Sequence, residues 1–233
     1  MRGSRLFSYI AYMLCSAVYT SAAAGQSPPA SLTDQAIALI QAAMESRGDG
    51  FLSRAEAQYR QSLAILETIS GPRSSDLTAA LNGLAAVYFD ERRYTDAESL
   101  TRRSASLAEA ALGADHPLVA TSLHNLAAIY HAQGQYAKAE PLYLRALEIR
   151  EAALGPKHPF VAATLVNLAE LARARGDYSQ AAARYARAVA IREEAFGIDD
   201  PRVVETQANY AAVLRKMRRK CFSSPSRDAL TMR

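Results

Sequence analysis

Two stretches decide the fold: LHNLAAIYHAQGQYAKA at residues 123–139 and LVNLAELARARGDYSQA at residues 165–181. Leu123, Asn125, Leu126 and Ala127 return one 42-residue period later as Leu165, Asn167, Leu168 and Ala169, and Gly134, Tyr136 and Ala139 return as Gly176, Tyr178 and Ala181. The match extends outward on both sides. Gly113-Ala-Asp-His-Pro117 is answered by Gly155-Pro-Lys-His-Pro159, and Tyr143, Ala146 and Ile149-Arg150-Glu151 by Tyr185, Ala188 and Ile191-Arg192-Glu193. One step back, Gly71, Leu81, Leu84, Ala85, Tyr88, Tyr94, Ala97, Glu98 and Leu112 stand in register. A further step keeps Gly50, Ala55, Glu56, Tyr59, Leu63 and Glu67 but has a degenerate first helix. One step forward, Gly197, Asp200-Pro201, Asn209 and Ala211 fit before the pattern stops. A fixed period of this length marks a repeat architecture. The expected units are about 29–70, 71–112, 113–154 and 155–196, followed by a terminal helix at 197–220.

Each unit reads as a helical hairpin. Leu123, Leu126, Ala127 and Tyr130 follow i, i+3, i+4, i+7, one apolar face of a helix, and Ala139, Tyr143, Ala146 and Leu147 do the same in a second. Gly134 falls in the short turn between them, where positive φ is needed. Small residues at Ala127 and Ala139 let the two helices approach, with Tyr130 and Tyr143 filling the space beside them. Gly155 suits a helix C-cap, Pro159 a first helical turn and Asp115 an N-cap. A lone hairpin cannot bury its apolar face, so the units are expected to stack. The fold class is therefore all-α: a superhelical solenoid of stacked antiparallel helix pairs, with function on the groove of the stack.

Composition narrows the rest. The chain has 233 residues, half of them hydrophobic and 21% charged, which disfavours wholesale disorder and a multispanning membrane protein. With only Cys15 and Cys221, it is neither a disulfide miniprotein nor a Cys-rich zinc module. Residues 1–24 carry the parts of a secretory signal: Arg2 and Arg5, an apolar run from Ile10 to Tyr19, and Ala22-Ala23-Ala24 before a cleavage site. The alternative is a retained membrane anchor, because the stretch from Leu6 to Ala24 carries no charge and is just long enough to span. Cleavage after Ala24 implies a secreted or periplasmic protein exported by a bacterium. The formal charge of +4 belongs to the ends: residues 25–214 hold 18 basic and 22 acidic side chains, and seven basic residues lie from Arg215 onward. Residues 221–233 read as a flexible tail.

The run Asn125-Leu126-Ala127, Tyr130, Gly134, Tyr136, Ala139-Glu140, Tyr143 and Ala146, with the junction Gly155-Pro-Lys-His-Pro159, resembles the tetratricopeptide repeat (TPR). The 42-residue period, longer than the common 34, resembles its kinesin light chain subfamily. The resemblance covers about residues 29–218. It implies a non-enzymatic scaffold or adaptor that binds a peptide or protein partner along the first helices. It also implies that Asn125, Asn167 and Asn209 hydrogen-bond a bound backbone, an amide offering donor and acceptor together. The other role open to these residues is local, holding the repeat in shape. Gly83 stands where the second unit would carry this asparagine, and Ala172 where the fourth would carry the tyrosine of Tyr130.

His124, His131, Val166, Glu170 and Arg173 neighbour these asparagines by the i+3, i+4 and i+7 rule and are candidates for side-chain selectivity, or an ordinary solvated face. His116 and His158 recur next to proline and read as junction residues. His124 and His131 lack a completing Cys or carboxylate at a metal-binding spacing, so no metal is assigned. No nucleophile elbow, phosphate loop or dinucleotide motif occurs, and no catalytic residue or cofactor is assigned. The basic run Arg215–Lys220 reads as a solvated helix end that complements the helix dipole. It lacks the aromatic interleaving of a nucleic-acid surface. Expected partners are thus a protein or peptide, no nucleic acid, and a membrane only if the N-terminal segment is retained. Two rivals remain: a membrane-anchored adaptor and an accessory subunit of an enzyme complex.

Overall fold

Glycines set the 42-residue rhythm of the backbone. Gly113, Gly155 and Gly197 take φ of 90°, 87° and 83° where second helices end, a region closed to most L-residues. The computed structural model describes residues 31–69 and 75–223. The signal segment, residues 70–74 and residues 224–233 of the expected tail lie outside the described residues.

Among the described residues the chain forms nine α-helices and no strand. They are α1 (Leu32–Gly48), α2 (Leu52–Ile69), α3 (Ser75–Asp90), α4 (Tyr94–Leu112), α5 (Pro117–Ala132), α6 (Tyr136–Leu154), α7 (Pro159–Ala174), α8 (Tyr178–Phe196) and α9 (Pro201–Ser223). Odd-numbered helices are the first of each pair and even-numbered helices the second; among the described residues α9 stands without a second helix. The terminal helix runs past the expected Lys220 to Ser223. Two compact units divide the chain between Ile149 and Arg150, inside α6.

In the first unit a single cluster draws Ala36, Ile40 and Ala43 from α1, Ala55, Tyr59 and Leu66 from α2, and Leu77 to Phe89 from α3. Serine hydroxyls tie α2 and α4 to the first helices of their own pairs. Ser62 Oγ donates to Ala36 O at 2.8 Å, and its equivalent in the next pair, Ser104 Oγ, donates to Thr78 O at 3.2 Å. The following equivalents, Ala146 and Ala120, pack in a second apolar cluster with Ala108, Val119 and Ile149.

Successive pairs are joined by a recurring three-residue bracket. The Tyr88 hydroxyl donates to Glu56 Oε1 at 3.0 Å and accepts from Arg60 Nη2 at 2.8 Å. The Tyr130 hydroxyl repeats this with Glu98 at 2.9 Å and Arg102 at 2.6 Å. Each bracket links the second helix of one pair to the first helix of the next. Between α1 and α3, Arg47 Nε meets Asp90 Oδ2 at 2.7 Å with both side chains nearly buried, and burial pushes the Asp90 carboxyl above its ordinary range despite the arginine.

Gly83 has a packing reason. A Cβ built there would lie 2.3 Å from Tyr59 Cε1, so the face of α3 that carries asparagine in later repeats is here pressed against the Tyr59 ring. Arg92 occupies the turn position of Gly134 and Gly176 and takes the same positive φ, 62°.

In the second unit, Arg150 is 1% exposed and donates from Nη1 to Phe160 O at 3.2 Å and Thr164 Oγ1 at 2.6 Å. Arg192 repeats the arrangement on Arg202 O and Thr206 Oγ1. These buried guanidiniums staple the end of one second helix to the start of the next first helix. In the first unit the equivalent of Arg150 is Ala108, and the Ser122 hydroxyl instead meets Asn82 Nδ2 at 3.0 Å and Ser104 Oγ at 3.0 Å.

The junction cap differs from the sequence expectation. His116, rather than Asp115, is the N-cap of α5: its Nδ1 accepts from Leu118 N at 3.2 Å, and Asp115 pairs with Arg145. His158 caps α7 in the same way, accepting from Phe160 N at 3.2 Å. Asp200 takes this place at α9, with Oδ1 accepting from Arg202 N at 2.9 Å. The imidazole wins because proline at the following position fixes the approach that brings Nδ1 onto the free N–H two residues on. These bonds give the junction histidines a structural role.

Candidate functional site

The candidate residues fall on first helices, and each unit holds its own subset. In the first unit, His124, Asn125 and His131 lie on α5. His124 is 1% exposed and stands edge-on to Tyr143 of α6 with ring centroids 5.2 Å apart. It therefore marks the face by which a first helix packs on its own second helix. His131, two turns on, is partly exposed and sits edge-on to Tyr136 at 5.5 Å and Tyr143 at 6.5 Å. Together the four rings make an aromatic seam that runs toward the turn joining the two helices of the pair.

Asn125 points elsewhere. Its position is equivalent to Gly83, whose face meets the second helix of the preceding pair. At 6% exposure it is nearly buried, yet its amide makes no side-chain hydrogen bond with another described residue. Asn82, one position before Gly83, donates to Ser122 while its Oδ1 is buried and unpartnered.

In the second unit, α7 carries Val166, Asn167, Glu170 and Arg173, and α9 carries Asn209. Val166 and Asn167 are 4% and 6% exposed, and Asn167 is engaged within the protein. Glu170 is the centre of a small network. Its Oε2 accepts from Arg173 Nε at 2.9 Å, and its Oε1 accepts from the buried Tyr185 hydroxyl. Burial first, and then the Glu170 carboxylate, raise the Tyr185 pKa well above its ordinary value, while the carboxylate raises that of Arg173. Tyr185 thus stays protonated as a donor, and Glu170 and Arg173 are held in fixed positions. Asn209 is partly exposed. Among the described residues no three His, Cys, Asp or Glu side chains gather as a metal-binding group, and no helix is long and apolar enough to cross a membrane.

The tyrosine brackets and the buried arginines were not among the sequence candidates. Their signal was present: Glu56, Arg60 and Tyr88 recur one period later as Glu98, Arg102 and Tyr130.

Paired helices in a fixed register, joined through equivalent positions of successive pairs, define an all-α helical-hairpin repeat protein. The family model of the tetratricopeptide repeat matches residues 76–152, 123–194 and 161–220, well over half of the sequence, and the chain belongs to the tetratricopeptide-repeat family. Solved structures of kinesin light chain-like repeat proteins share the fold. A putative kinesin light chain from Podosopora anserina with nearly identical TPR-like repeats is 22% identical with a TM-score of 0.64, covering 78% of this chain and 86% of that one. BtubC (BKLC) from P. vanneervenii is 23% identical with a TM-score of 0.65, covering 81% and 85%. The apo form of RapI is 14% identical with a TM-score of 0.57, covering 82% of this chain and 54% of its own. No curated protein matches the chain.

Proposed function

We propose that the protein is a non-enzymatic scaffold that holds a peptide or a segment of a partner protein against the first helices of its repeats. Tetratricopeptide repeats generally mediate protein–protein interaction. The observation that carries the reading here is Asn125: an amide inside a helix, nearly buried, with neither donor nor acceptor spent on another described residue. Asparagine disfavours a helix interior, and a peptide main chain that supplies a carbonyl and an N–H to its uncommitted amide offsets that cost. The partly exposed His131 in the first unit, and Glu170, Arg173 and Asn209 in the second unit, supply side-chain discrimination. Because Glu170 and Arg173 are already ordered by their own network, little side-chain entropy is lost on binding.

Affinity capture from an extract, comparing wild type with Asn125→Ala/Asn167→Ala, tests this. Loss of one or two neutral hydrogen bonds predicts roughly tenfold weaker retention of specific partners, with the thermal midpoint of Asn125→Ala alone nearly unchanged. Loss of helical circular dichroism in the double variant, with capture falling in proportion, sinks the proposal and assigns the amides to the fold. Export is part of the same proposal: an N-terminus at Gly25 in protein recovered from the producing cell supports a secreted or periplasmic scaffold, and retention of Leu6–Ala24 refutes it.

A further inference from the structure

The face of a first helix that packs on its own second helix is fixed by contacts in the first unit. Ser104 of α4 bonds the backbone of α3 at Thr78, Ala146 of α6 packs with Ala120 of α5, and Tyr143 of α6 meets His124. With Ala127, the close-approach alanine, and His131, which meets Tyr136 and Tyr143, this face runs Ala120, His124, Ala127 and His131 on α5. Shifted by two repeats of 42, it becomes Val204, Ala208, Ala211 and Arg215 on α9. There the burial is lost: Ala120, His124 and Ala127 are 0–1% exposed, whereas Val204 is 52% exposed and Ala208 and Arg215 are also exposed. The other face of α9 is packed normally, with Val203, Thr206 and Val213 buried. The helix thus keeps small or aliphatic residues at three of these four positions, and among the described residues this packing face stays open, with Ala211 partly covered.

We propose that this face docks on the same face of α9 in a second copy of the chain, the two helices running antiparallel about a two-fold axis between positions 209 and 210. Three observations favour a second copy over an unrelated helix. The spacing 204, 208, 211, 215 is a four-three-four seam that maps onto itself under such an axis, Val204 meeting Arg215 and Ala208 meeting Ala211 of the other copy. The two alanines at the centre allow the close approach that larger residues forbid, and the aliphatic stem of Arg215 covers Val204 while its guanidinium reaches solvent. Charge is divided in the sense an antiparallel pair requires. At the N-terminal end Asp200 is already paired with Arg202, which leaves Asp199 and Glu205 in excess, whereas Arg215, Lys216, Arg218 and Arg219 lie at the C-terminal end and α9 has no acid after Glu205. Parallel pairing sets the basic ends against each other, whereas antiparallel pairing sets each against the acids of the other copy. One helix pair buries less than the roughly 1,200 Å² of a stable interface, so the dimer is weak, with a dissociation constant on the order of tens of micromolar.

Sedimentation equilibrium of the full chain between about 2 and about 200 μM reads this directly. A reversible monomer–dimer equilibrium is expected. Ala208→Glu places two like charges at the axis and should weaken association at least about thirtyfold. The site is exposed, so helical content and thermal midpoint should be unchanged. Glu205→Arg should weaken the dimer, and the same chain carrying Arg215→Glu as well should recover most of the loss. A monomer throughout the range, a dimer indifferent to Ala208→Glu, or a charge swap that fails to restore association each overturns the proposal.

Discussion

Replacing Gly83 by alanine should destabilise the first unit, although Gly to Ala in a helix interior ordinarily stabilises. The added Cβ would stand 2.3 Å from Tyr59 Cε1, 2.4 Å from Cζ and 2.6 Å from the hydroxyl oxygen. Ordinary van der Waals contacts of a Cβ lie at 3.4 Å or beyond, so the ring must retreat by about 1 Å. It has no solvent to retreat into, since Tyr59 is 1% exposed and packed in the main cluster. Overpacking a filled core costs about 1–3 kcal/mol, and the propensity gain of alanine over glycine returns at most about 1 kcal/mol. The net expectation is a loss of about 1–2 kcal/mol. Urea unfolding followed by circular dichroism measures it, with Tyr59→Leu and the double variant completing a cycle. Tyr59→Leu removes the clashing atoms, so in that background Gly83→Ala should become neutral or stabilising, a coupling well outside the additivity error of about 0.5 kcal/mol. A rise in stability for Gly83→Ala in the wild-type background would refute the claim that α3 approaches Tyr59 closely enough to exclude a side chain. It would also remove the reason for the missing asparagine.

Two further outcomes follow from backbone and cap. Arg92 holds φ of 62° where the equivalent turns use glycine, so Arg92→Gly should raise stability by about 0.5–1 kcal/mol in the same denaturation assay, the relief of left-handed strain exceeding the extra unfolded-state entropy of glycine. His158 has its pKa lowered by burial and by the neighbouring Arg150 cation, and its neutral Nδ1 accepts from Phe160 N. A histidine whose folded pKa lies below the ordinary 6.5 contributes stability that is present above 6.5 and lost as pH falls through the folded value. Unfolding midpoints measured at falling pH should therefore decline below 6.5 in wild type and decline less in His158→Asn, which keeps a capping acceptor and does not titrate.

The repeat period carried most of the fold because a 42-residue recurrence reports equivalent backbone environments, whatever the side chains do within them. It located the positive-φ glycines and the prolines at N1, and its one irregular turn, Arg92, adopts the conformation its glycine equivalents adopt. Periodicity is a weaker guide to which face of a first helix is open. The i, i+3, i+4, i+7 rule separates two faces only when one of them is solvated, and α3 has every residue from Ala80 to Phe89 buried. Wrapped by the second helices on either side and by neighbouring first helices, such a helix has no wide polar stripe to read. His124, Asn125 and Val166 follow that logic: adjacent or equivalent in sequence and all nearly buried, they differ in whether the polar atoms are spent. His124 has its ring against Tyr143, Val166 has no polar atom, and Asn125 keeps an unused amide. Selecting among residues on a first helix therefore takes an account of hydrogen bonds rather than of hydrophobic pattern, and that account depends on partners 28 to 40 residues away in sequence, as the Tyr88, Tyr130 and Asn82 bonds show. The same reasoning explains why α9 is the informative helix. Without a second helix among the described residues, the face hidden in α5 stands largely exposed in α9, and the small and aliphatic residues Val204, Ala208 and Ala211 there become a surface available to a partner.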